Sequence, residues 1–211
     1  MIPQMQKKSL TCLTFITILF VSIPNTFGLS ATTLGPSSNI ERLLKYHRII
    51  PDVLDVAPPY DLKIIYKHLG VNFGSIFSPH YVHDKPTDID WPVKPLSYYT
   101  LILTDPDAPS HKTPYNREWQ HWVVGNIPET RIKLGETLTE YIGAIHPKGT
   151  GLHRYVFTVY QQPKIINFTE AVIDSRPSDF LRANFSTVDF ARRYKLGKPH
   201  AANFFVVSWG I

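Results

Sequence analysis

The chain has 211 residues, a formal net charge of +5, 43% hydrophobic and 13% aromatic side chains, and one cysteine. This apolar content excludes a disordered chain, and the lone cysteine excludes a cystine framework or a cysteine-based metal site. The length suffices to bury one substantial core, so a single globular domain is expected.

At the N-terminus, Lys7 and Lys8 lead into TCLTFITILFVSI, an apolar run of signal-peptide length followed by a helix breaker and the small Gly28. The run is short for a bilayer span, which needs about 20 residues. A signal peptide over 1–28 and one domain over 29–211 are therefore expected, with secretion and no stable membrane anchor. Cleavage near Gly28 removes Cys12 and lowers the formal charge from +5 to +3, since Lys7 and Lys8 are the only charged residues removed. No Lys/Arg-rich block remains to suggest nucleic acid. Asn167 in NFT and Asn184 in NFS are glycan acceptor sequons, consistent with a secreted chain.

Next, IERLLKYH has apolar residues at helical spacing behind Asn39, which predicts a short helix with Asn39 as its N-cap. DLKIIYKHLGVNFG, YYTLILTD, WQHWVVGNI and LHRYVFTVYQ are rich in β-branched and aromatic residues and bounded by Pro, Gly and Asp, as strands are. STVDFARRYKLGKP opens with a Ser-x-x-Asp resembling a capping box and ends on Lys195, Gly197 and Pro199, predicting the clearest helix. AANFFVVSW returns as a last strand. No internal repeat appears, and a mainly antiparallel β domain with peripheral helices is expected.

Alternation along WQHWVVGNI places Trp119, His121 and Val123 on one face and Gln120, Trp122 and Val124 on the other. The same rule groups His153, Tyr155, Phe157 and Val159 in GLHRYVFTVY, opposite Arg154, Val156, Thr158 and Tyr160. Each strand thus begins with a His and an aromatic residue and continues apolar, the pattern of strand ends lining a pocket above a core. Two satisfied structural histidines would give the same pattern.

TDPDAPS, REWQHW, PKGTGLHRYVF and FARRYKLGKPHAANFF together resemble the phosphatidylethanolamine-binding protein family, with its Asp-Pro-Asp-Ala-Pro-Ser and Gly-x-His-Arg-Tyr signatures, from about Asp61 to Trp209. The resemblance implies a large antiparallel sheet packed on a smaller one with peripheral short helices. It also implies a compact pocket for phosphate or the phosphorylethanolamine head group, built here from Asp105, Ala108, Pro109, Trp119, His121, Pro147, His153 and Tyr155, with a cis Ala108–Pro109 bond. His121, His153 and Tyr155 would donate hydrogen bonds to an oxyanion, and the GTGLH turn containing Gly151 would bring backbone N–H groups close. Asp105 would accept from a ring N–H, orienting the imidazole and favouring its charged form.

Two positions depart from the family pattern. Asn116 stands where many relatives have Tyr, and Phe205 replaces a frequent pocket-rim Tyr, so the rim is expected to hydrogen-bond less while Phe205 keeps an aromatic surface for an apolar ligand. The chain ends at Ile211 without the C-terminal helix that lies by the pocket in animal cytosolic relatives, which predicts a more open mouth.

The expected function is a secreted, monomeric binding protein for lipid head groups or other small hydrophobic or anionic ligands. Secreted invertebrate members of the family include insect antennal proteins for which odorant binding has been proposed. The alternative is a protein-interaction module such as a secreted serine-protease inhibitor or a signalling regulator. A catalytic or metal centre from Asp105, His121 and His153 with Ser110 or Glu118 is disfavoured, because no H-E-x-x-H spacing or activated nucleophile accompanies them. No cofactor and no metal are expected.

Overall fold

The computed structural model describes residues 36–176 and 180–210; the segment read as a signal peptide, with Cys12, lies outside them. Helix α1 (Pro36–Tyr46) buries Ile40 and Leu44 on one side, and the short α2 (Ile49–Asp52) adds Ile49 and Ile50. The first helix begins before Asn39, which sits inside it and accepts from Arg42 Nη2 at 2.8 Å instead of capping the helix.

Strands β1 (Tyr60–Asp61), β2 (Lys63–Tyr66) and β3 (Leu69–Gly70) divide the stretch expected as one strand. The break between β2 and β3 is a tight turn with Lys67 at φ 56°. Then follow β4 (Ser75–Phe77), β5 (Asp88–Asp90), β6 (Tyr98–Asp105), β7 (Trp119–Pro128), β8 (Glu136–Thr139) and β9 (His153–Gln162). Helix α3 (Thr187–Arg193) starts as its sequence predicts, with the Ser186 side chain accepting from Asp189 N at 3.1 Å, and β10 (Ala201–Val207) closes the fold.

The larger sheet has seven strands in the order β1-β10-β9-β6-β7-β8, with β4 also beside β10. Its long strands pair antiparallel, whereas the short β1 and β4 run parallel to β10, opposite Ala201–Ala202 and Phe205–Val207. The smaller sheet is β3-β2-β5. Alternation divides the long strands between two faces. Leu101, Leu103, Tyr155, Phe157, Val159 and Phe205 join Ile64 and Tyr66 of the smaller sheet in the principal core. Val156, Phe204 and Val206 pack on α1 and α2, and Ile102, Val123 and Tyr160 pack with Phe190 of α3. The two centre strands, β6 and β9, are covered on both faces, so the ends of β6, β7 and β9 carry side chains that are held by packing as well as by backbone pairing.

Candidate functional site

Asp105 is the last residue of β6 and His153 the first of β9, and the antiparallel pairing of these strands brings them together. His153 Nδ1–H donates to Asp105 Oδ2 at 2.7 Å, while Asp105 Oδ1 accepts from the backbone N–H of Asp107 at 2.7 Å. Both carboxylate oxygens are thus engaged, which fixes the imidazole's orientation. The pair is enclosed: Asp105 is 2% and His153 1% exposed.

Beside them on the core face of the sheet stand His121 and Tyr155, with ring centroids 5.0 Å apart and edge to face. Strict alternation fails in β7. Leu103 pairs with Trp122 and Thr104 with Gln120, so His121 is the extra residue of a β-bulge. Trp122 and Val124 therefore belong to the principal core next to Tyr155, and Val123 packs on the α3 side, reversing the expected grouping of His121 with Val123. Trp119, half-buried before the bulge, meets Phe180 edge to face at 6.4 Å.

His121 Nδ1–H donates to Ile142 O at 3.2 Å, and burial lowers the imidazole from 6.5 to about 4, the nearby Asp105 charge offsetting only part of that. His121 is therefore neutral near pH 7. Tyr155 is fully buried, its hydroxyl has no hydrogen-bond partner among the described residues, and burial raises the phenol well above its usual range. Phe205 is not a rim residue: it is 0% exposed and stacks on Tyr155 at 5.3 Å and 11°, filling the core under the site.

The remaining expected residues form the surrounding loops. The Ala108–Pro109 bond is cis; Ala108 is buried and Pro109 half-buried. Asn116 ties that loop to the 180–184 turn through its backbone, donating to Ala108 O at 3.2 Å and accepting from Asn184 N at 3.1 Å. Pro147 and Gly151 are exposed in the 142–152 loop, where Gly149 and Gly151 take φ of 89° and 91°, values that favour glycine.

This loop holds the residues that sequence reasoning missed. His146 stacks on His153 with centroids 4.0 Å apart and planes 4° off parallel, and the Trp209 indole N–H donates to His146 O at 2.8 Å. Thr150 Oγ1 lies 3.0 Å from His153 Nε2. In place of an open mouth, His146 and its loop cover His153, and both ring nitrogens of His153 have intramolecular partners. The only sequence signal was a third His seven residues before His153.

Glu118 and Ser110 are not part of this group. Glu118 faces away with Thr104, accepting from Thr104 Oγ1 at 2.7 Å and from Thr187 N and Oγ1 at 2.8 and 2.7 Å. Burial raises its carboxyl, although these hydrogen bonds oppose the rise. Ser110 bonds Thr113 within its turn. Asp107 and Arg154 likewise point to the opposite face, where Arg154 Nε and Nη2 donate to Asp107 at 2.9 and 2.7 Å and Nη2 reaches Asp52 at 2.7 Å. Among the described residues no group of three or more His, Cys, Asp or Glu is arranged to hold a metal ion, and no helix is long and apolar enough to cross a membrane.

The sequence profile of the phosphatidylethanolamine-binding protein family matches residues 81–205, which include every residue of this group except Trp209. The chain is 34% identical to the Drosophila melanogaster protein named "Putative odorant-binding protein A5" over 172 residues, 81% of each chain. Among solved structures it is similar to a carboxypeptidase Y inhibitor seen in complex with its cognate proteinase, with a TM-score of 0.71, 26% identity, and coverage of 83% of this chain and 98% of the inhibitor. It is also similar to the phosphatidylethanolamine-binding protein of Plasmodium vivax, with a TM-score of 0.67, 27% identity, and coverage of 79% and 95%. With the two-sheet fold and the Asp105–His153 pair in place, the chain belongs to the phosphatidylethanolamine-binding protein family.

Proposed function

We propose that this protein binds a small ligand through a phosphoryl or similar oxyanion group at the Asp105–His121–His153–Tyr155 site, acting by binding and not by catalysis. The observation that carries this reading is the enclosed Asp105–His153 pair, 2.7 Å apart, next to a buried Tyr155 hydroxyl with its hydrogen uncommitted. A buried hydroxyl without a partner is costly, and a ligand oxygen would satisfy it. Family membership supports a phosphorylated head group, and the similarity to the Drosophila protein supports a small organic ligand, an odorant included.

In this reading residues 1–28 direct secretion, and glycans occupy Asn167 and Asn184, which are both exposed. Titration calorimetry with inorganic phosphate and phosphorylethanolamine tests the site. His153→Ala is expected to weaken both ligands at least about tenfold, the cost of one charge-assisted hydrogen bond; binding equal to wild type would remove the assignment.

A second reading, protease inhibition, is favoured by the likeness to the carboxypeptidase Y inhibitor. A panel of secreted serine proteases and carboxypeptidases, assayed with the chain in excess, separates the two.

A further inference from the structure

His146 and Thr150 form an arrangement that the reading above does not use. The two imidazoles lie face to face, and their inner nitrogens converge on one oxygen: Thr150 Oγ1 is 2.9 Å from His146 Nδ1 and 3.0 Å from His153 Nε2. The outer nitrogen of His153, Nδ1, faces Asp105 Oδ2 at 2.7 Å, which only accepts, so it carries a hydrogen, whereas His146 has a carbonyl acceptor at each nitrogen, Pro147 O at 3.1 Å from Nδ1 and Val207 O at 3.3 Å from Nε2. The hydroxyl has one hydrogen to give, and Pro147 O, 2.7 Å away, also competes for it. A hydroxyl held between two imidazoles marks a position built for an oxygen acceptor. The loop that supplies it is exposed at Lys148, Gly149 and Gly151, and a Cβ at either glycine would meet nothing within 4 Å, so this side of the turn faces open space.

We propose that His146 is a third imidazole of the anion site, beside His121 and His153, and that the Thr150 hydroxyl holds the place taken by a phosphoryl oxygen, acting as an internal competitor of the ligand. This deepens the reading above and rests on it. An unprotonated phosphoryl oxygen has no hydrogen to give, so it pairs with both inner nitrogens only when both carry one. His153 then donates from both nitrogens, to Asp105 and to the phosphate, while His146 donates from Nδ1. The groups facing His146 are the His153 ring from β9, Asp105 beyond it on β6, the Pro147 and Val207 carbonyls, the Thr150 hydroxyl, and the Trp209 ring at 6.3 Å. Burial and the neighbouring His153 both hold the His146 imidazole below its usual range, so it serves the site as a neutral Nδ1–H donor. Uptake of phosphate is coupled to uptake of protons, and affinity rises as pH falls.

Calorimetry of the full chain with inorganic phosphate, run in buffers of different ionisation enthalpy, reads affinity and protons taken up together. His146→Asn is expected to weaken phosphate about tenfold. Thr150→Ala vacates the position and is expected to tighten phosphate several-fold, as removal of a competing internal state does. Unchanged affinity in His146→Asn, or unchanged or weaker binding in Thr150→Ala, overturns the proposal. Near-UV circular dichroism checks that each variant is folded, and Thr150→Ala, on an exposed turn, stands as the test if His146→Asn is not. His153→Ala separates the two levels: loss of binding there with none in His146→Asn removes this inference alone, whereas wild-type binding in His153→Ala removes the site itself.

Discussion

Burial decides what His121 can do. An imidazole lowered from 6.5 to about 4 is neutral at physiological pH, so His121 orients and donates but does not supply charge. Because the folded value lies below the unfolded one, the unfolded chain takes up the proton first. The stability tied to the neutral ring is complete above about 6.5 and falls as pH drops toward 4, by at most on the order of 3 kcal/mol. Following the His121 ring protons by NMR should give a midpoint near 4, and urea unfolding should show a steeper loss of stability between pH 6.5 and 4 in wild type than in His121→Gln. A midpoint near 6.5 would show that the ring is open to solvent.

At the scale of elements, Glu118 shows a carboxylate assigned by its neighbours to structure. It joins β6 to the N-terminus of α3 by accepting from Thr104 and Thr187, and its backbone pairs with Phe185 in both directions. Glu118→Gln replaces a charged acceptor of three hydrogen bonds by a neutral amide whose NH2 the Thr104 and Thr187 hydroxyls must turn to accept, which is expected to cost about 1–3 kcal/mol in urea unfolding while phosphate affinity stays within twofold. A tenfold loss of affinity would place this carboxylate in the site after all. The bulge at His121 is the other decision made at this scale: one extra residue in β7 puts His121 and Trp122 on the core face and returns Val123 to the helix side.

For the whole molecule, Arg154 is the fastener. Its guanidinium reaches Asp107, Asp52 and the carbonyls of His47 and Arg48, joining the centre of the large sheet to the α1–α2 corner and to the loop after β6. Burial alone would raise the Asp107 carboxyl, but the hydrogen bonds and charge of Arg154 outweigh it and hold the group below its usual range. Arg154→Ala leaves the Asp107 carboxylate, 1% exposed, with only the backbone N–H of residue 154 and the His111 ring, and is expected to cost about 3 kcal/mol in urea unfolding at pH 7. A loss below about 1 kcal/mol would mean that water replaces the guanidinium without penalty.

Local rules made part of this molecule legible from its residues. The span of β6, the Ser186 cap of α3 and the sharing of one face by His153, Tyr155, Phe157 and Val159 depend on neighbours in the chain, and each appears in the structure where alternation and capping place it. The quoted motifs likewise pointed to the family. Tertiary structure alone decided the rest: the bulge in β7, the burial of Phe205 beneath Tyr155, and the stacking of His146 on His153. The physical reason is that periodicity and caps act within a few residues, whereas register shifts, ring stacking and desolvation are set by segments far apart in sequence that meet only when the two sheets pack.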